Sequence, residues 1–75
     1  RSIASIAHQA LREVEWRIGR KRLPRIKIRA AADLIEWIKA EEMEMVERLQ
    51  QSLGGDIELV VEESFPSGKY ALLEG

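Results

Sequence analysis

Between Arg25 and Ala30 the sequence reads RIKIRA, and no other stretch constrains the fold as strongly. Ile26, Ile28 and Ala30 alternate there with Arg25, Lys27 and Arg29. Successive side chains of an extended strand point to opposite faces, so this period of two predicts a half-buried strand with one cationic face. Pro24 stands just before it, a position where a missing N–H is tolerated.

On either side of the strand the apolar period lengthens to that of a helix. Ile3, Ile6, Ala7, Ala10, Leu11, Val14 and Ile18 form one stripe, which predicts a helix over residues 2–18. Ser2 is its expected N-cap and Gly19 its expected stop, with Arg17 and Arg20 near the negative end of the dipole. Trp16 lies off that stripe, which marks it as a contact residue, either within the fold or toward a partner. Residues 31–53 are helical again through Ala31, Leu34, Ile35, Ile38, Met45, Val46, Leu49 and Leu53, with Trp37 flanking the stripe as a core residue. The register fails at Lys39–Glu42, where it would require burying Glu42, so a tight bend or helix defect is expected at 39–42. Gly54–Gly55 end this element.

The remaining chain returns to period two. DIELVVEE points Ile57, Leu59 and Val61 inward and Glu58 and Glu62 outward, a second strand. SFPSG is a turn, and KYALL a third strand expected to pair antiparallel with the second. The expected architecture is one α+β domain over residues 1–75, in the order α-β-α(α)-β-β, with a three-stranded mixed sheet packed against helices.

Size bounds what such a domain can do. Seventy-five residues make one domain with net stability on the order of 5 kcal/mol. The chain contains no cysteine and only one histidine, His8, so neither disulfides nor a thiolate zinc site can brace it. No apolar run approaches the roughly 18 residues of a membrane span, and no signal peptide is visible. Arg1 in place of an initiating Met fits a segment of something longer.

Charge is segregated along the chain. Residues 1–30 hold nine basic groups against Glu13 and Glu15, a balance of +7; residues 31–75 hold three against eleven acids, a balance of −8. The stretch Arg17–Arg29 makes Arg17, Arg20, Lys21, Arg22, Arg25, Lys27 and Arg29 the candidate RNA-binding residues, of a salt-dependent and sequence-indifferent kind. If the first two strands are neighbours, however, Arg25, Lys27 and Arg29 face the Glu58 and Glu62 row instead, and RIGRKR (Arg17–Arg22) becomes the better basic patch. Stacking platforms for single strands are few: Trp16, Trp37, Phe65 and Tyr70.

No catalytic constellation is legible. The serines lack a base, since His8 lies on a helix without a triad signature, and Gly54–Gly55 has neither the lysine nor the spacing of a phosphate loop. The carboxylates occur at surface spacing, with no convergent metal-binding set. The chain alone is expected to be non-catalytic and to hold no cofactor.

Taken in order, SIASIAHQALREVEW, a basic linker, IKIRAAADLIEWIKAEE, a second helical stretch and LGGDIELVVEESFPSGKYALL resemble the C-terminal small domain of the ribonuclease E/G family over nearly the whole length. Leu11, Arg12 and Glu13 match that family's Leu-Arg-Glu pattern. The resemblance implies a cytoplasmic, Mg-dependent endoribonuclease as parent, acting on single-stranded RNA in decay and processing. Its catalytic residues, S1 domain, 5′-end sensor and zinc-link cysteines would lie upstream of this segment. It also implies a terminal hairpin, a role in packing against the large catalytic domain and in homo-oligomer assembly, with Trp16 as the candidate interface residue, and a core similar to a KH domain. A KH domain grips RNA with a Gly-x-x-Gly loop between two helices. The matching positions here, Lys39–Glu42, hold no glycine and two acids. A KH-type grip at that bend is not expected.

Overall fold

A computed structural model describes residues 2–20 and 25–75. The helical stripe at the start becomes α1 (Ile3–Arg20), and RIKIRA becomes β1 (Arg25–Ala30). Helices α2 (Ala32–Glu41) and α3 (Met43–Leu53) follow, then strands β2 (Asp56–Val61) and β3 (Tyr70–Glu74). The result is the small α+β domain expected, with three helices and one three-stranded mixed sheet. No helix among the described residues is long and apolar enough to cross a membrane.

The sheet order is β2-β1-β3, with β1 in the centre. The α2–α3 crossover brings β2 back parallel to β1, Ile26 beside Ile57 and Ile28 beside Leu59. β3 runs antiparallel on the other side of β1, Ile28 beside Leu72 and Ala30 beside Tyr70. The expected terminal hairpin of second and third strands is therefore corrected: β3 pairs with the first strand. Residues 62–69 carry the chain across the end of β1 instead of folding it back. Glu62 N–H donates to Ala30 O on one side at 2.8 Å, and Ala31 N–H donates to Lys69 O on the other at 2.9 Å. Asp33, in the first turn of α2, accepts from the Ser67 hydroxyl and from Gly68 N–H, tying this connection down.

Alternation decides the packing. Ile26, Ile28 and Ala30 are fully buried and join Ala7, Leu11, Val14, Leu34, Ile35 and Ile38 in one core. Burying an aliphatic side chain of this size contributes about 1.5–3 kcal/mol, so these positions dominate the stability of so small a domain. Trp37 packs against that core and is partly buried, as expected. Val61 departs from the pattern. It shares the inward parity of Ile57 and Leu59 but is 40% exposed, because it ends an edge strand.

The ends of the helices follow local chemistry. Ser2 Oγ accepts from Ser5 N–H at 3.1 Å, the N-cap expected for α1. Gly19 does not stop that helix, which continues to Arg20. Arg17 and Arg20 both have partners that hold the last turn, described below. The expected break at 39–42 falls on Glu42, whose φ of −128° and ψ of 16° leave the helical region. Its N–H donates to Ile38 O and its C=O accepts from Val46 N–H, so one residue closes α2 and opens α3. Gly54 ends α3 at φ 73°, a left-handed cap whose N–H reaches Gln50 O.

Candidate interaction site at Trp16 and the basic stretch

All three helices lie over one face of the sheet, the face carrying Ile26, Ile28 and Ala30. The other face, which bears Arg25, Lys27 and Arg29, is covered by no element among the described residues. The parallel register places Arg25 beside Asp56 and Lys27 beside Glu58 on that open face. Arg29 reaches past Val60 to form an ion pair with Glu62. Glu62 also accepts from the Ser64 hydroxyl. The Arg29 hydrogen bond, with help from Ser64, holds the Glu62 carboxyl below its ordinary value of 4.5. Arg25 and Lys27 form no ion pair among the described residues. The strand's charges thus divide: one is neutralised across strands, and two stand beside acids without direct contact.

On α1 the basic residues are engaged differently. Arg17 donates to Glu13 at 3.1 Å, one turn back, and to Glu74 on β3 at 3.3 Å. Glu13 also accepts from the Tyr70 hydroxyl at 3.3 Å. This network fastens the end of α1 to the edge strand β3. Lys21 and Arg22, the core of the expected basic patch, lie outside the described residues, as does Pro24.

Trp16 is the largest exposed apolar side chain of the described residues, at 60% exposure. The Arg20 guanidinium lies 4.7 Å from its ring centroid, a cation–π contact on the solvent side of α1. Trp16, Arg17, Arg20 and Glu74 line an open groove beside β3. Of the two readings of this tryptophan, the fold leaves most of the ring uncovered. Arg20, another candidate RNA-binding residue, is spent against it.

Sequence reasoning gave His8 no role. Its Nε2 donates to Glu42 Oε1 at 2.6 Å, and its ring meets Trp37 edge-on at 5.8 Å. The pair joins α1 to the α2–α3 bend, so Glu42 tolerates partial burial by finding a partner 34 positions away. No periodicity signals a pair so distant in sequence. Leu73 is a second omission: it is 43% exposed beside Lys27 on the open face. Adjacency with Leu72 was its signal, since neighbouring strand residues cannot both face the core. Among the described residues, no three His, Cys, Asp or Glu side chains converge to hold a metal ion. No protein-family model and no curated protein matches the sequence.

Proposed function

We propose that this chain is a non-catalytic packing and assembly domain, the C-terminal small domain of a cytoplasmic endoribonuclease of the ribonuclease E/G type. Its partners are the large catalytic domain of the same parent and further copies of the chain. The observation that carries this reading is Trp16. A tryptophan 60% exposed on a helix otherwise packed into a core is costly in water and useful in an interface, where tryptophan is enriched among the residues that dominate binding. The order of helices and strands along the chain is the one the resemblance implies, although the terminal hairpin it also implies is not formed. Of the five described cations of the basic stretch, Arg17 and Arg29 are paired with carboxylates and Arg20 lies against Trp16, which favours assembly over RNA contact.

The test is Trp16→Ala, with binding to the large catalytic domain measured by calorimetry and folding checked by circular dichroism. Loss of a buried anchor of this kind costs about 2 kcal/mol or more, so affinity falls by roughly thirtyfold or more while the fold is retained. Unchanged affinity removes Trp16 as the anchor.

One observation favours a second role, auxiliary contact with single-stranded RNA: Arg25 and Lys27 remain without ion pairs among the described residues. Anisotropy of a labelled RNA oligomer separates the two roles. Micromolar binding that collapses with salt supports RNA contact. No binding at low salt leaves assembly alone.

A further inference from the structure

Beside the α2–α3 bend, His8, Leu11, Arg12, Glu42 and Met45 line an open cavity of about 290 Å³. It shares no lining residue with the groove at Trp16. Local geometry builds it. Leu11 and Arg12 stand three and four positions after His8, so the three share one face of α1. Glu42 is the single residue between α2 and α3, and Met45 follows in the first turn of α3.

The floor and the walls differ in chemistry. Leu11 is 1% exposed and Met45 is packed against the core, so the floor is apolar, and the unbranched Met45 thioether adjusts to what lies on it. Two charges flank that floor. The Arg12 guanidinium has no ion-pair or hydrogen-bond partner among the described residues. The Glu42 side chain is 20% exposed and has one oxygen committed, Oε1, which accepts from His8 Nε2 at 2.6 Å. Glu42 Oε2 accepts from no group among the described residues. The Trp37 ring meets His8 edge-on from behind, which holds that pair in place. Arg12 and Glu42 therefore line one cavity as opposite charges that do not meet each other.

The occupant follows from charge. An anion drawn to Arg12 meets the Glu42 carboxylate as a like charge, and a cation drawn to Glu42 meets Arg12 in the same way. An uncharged apolar molecule desolvates both groups and compensates neither. A small zwitterion with an apolar tail satisfies the floor and both walls at once. We infer that this cavity is a binding site for a free α-amino acid with an aliphatic or thioether side chain. Its carboxylate pairs with the Arg12 guanidinium, its ammonium donates to Glu42 Oε2, and its side chain lies on Leu11 and Met45. Because the ligand joins α1 to the bend, its binding stabilises the folded domain. This site goes beyond the assembly reading and does not depend on it.

The experiment is a two-dimensional NMR titration of the ¹⁵N-labelled 75-residue chain with L-leucine. Beside it run N-acetyl-L-leucine, which keeps only the negative charge, and L-leucinamide, which keeps only the positive one. A ligand of about nine non-hydrogen atoms in an open site is expected to bind with a roughly millimolar Kd. Leucine should shift the amide signals of His8, Arg12, Glu42 and Met45 to saturation, with each single-charge analogue about tenfold weaker or worse. Arg12→Gln removes an exposed cation without a partner in the described fold, and should weaken leucine by roughly tenfold. Lys39→Gln removes a cation of α2 outside the cavity and should leave leucine binding unchanged. Absence of saturable shifts up to about 20 mM leucine overturns the inference. Equal binding of the two analogues overturns it too, as does binding indifferent to Arg12→Gln. None of these outcomes moves the large-domain titration with Trp16→Ala, which is judged by itself.

Discussion

The two faces of β1 are made from the same six residues and meet opposite fates. On one face Ile26, Ile28 and Ala30 have no exposure at all; on the other Lys27 and Arg29 are half-buried and Arg25 exposed. The buried face sets stability, because apolar area removed from water is its main source. The charged face adds little energy, because exposed ion pairs are screened and hold flexible side chains. Its contribution is solubility and register. The basic stretch Arg17–Arg29 therefore gives a poor guide to function by count alone. What matters is how many of them the fold has already partnered.

The difference between the faces is open to direct attack. The largest effect is expected from Ile28→Ala, which should cost about 2–5 kcal/mol and, in a domain this small, remove most of the urea midpoint. Lys27→Ala, one position away, should move that midpoint by no more than about 0.5 kcal/mol. Equal losses at the two positions would erase the distinction. A smaller effect is expected at Gly68, where φ is 76° and an added Cβ would stand 2.8 Å from Ile6 Cδ1. Gly68→Ala combines left-handed strain with a shift of the Ile6 side-chain tip and should cost about 1–2 kcal/mol in the same titration. Gly54→Ala meets the left-handed strain without a clash and should cost about 1 kcal/mol. If the two alanines behave alike, the Ile6 side chain gives way at no measurable cost.

Acid sharpens the comparison further. Asp33 is held below its ordinary 3.8 by the Ser67 hydroxyl and by Gly68 N–H, and Glu62 below its ordinary 4.5 chiefly by Arg29. Depressed folded values mean that the unfolded chain binds protons first. Their contribution is thus complete above those ordinary values and fades as pH falls through the lower folded ones. Thermal melts between about pH 6 and pH 3 should show the wild type losing more stability than the Asp33→Asn, Glu62→Gln double variant. Parallel losses would mean that neither carboxylate is better held in the folded state.

What the sequence makes legible is whatever depends on neighbours along the chain. RIKIRA declares both faces of β1, and the failed apolar register confines the helix break to Lys39–Glu42, within which the structure puts it at Glu42. Trp16 is visibly off its stripe. Sheet order is different, because it depends on where residues 62–69 travel, and Asp33 fixes that path from 34 and 35 positions away. KYALL looks like the partner of the strand beside it in sequence, yet it pairs with β1. The His8–Glu42 pair and the Arg17–Glu74 contact are hidden for the same reason. The stop expected at Gly19 does not hold, since α1 includes Arg20.

On the proposed reading, exposed apolar groups, with Trp16 foremost, face this domain's partners, while Arg17 and Arg29 are paired with carboxylates within the fold. The most direct measurement is the affinity of the chain for the large catalytic domain proposed as its partner, at about 50 mM and about 300 mM salt, for wild type and Trp16→Ala. The wild-type affinity is expected to shift by no more than about threefold with salt and to fall by roughly thirtyfold or more in Trp16→Ala. An affinity that falls steeply with salt and ignores Trp16→Ala would contradict it.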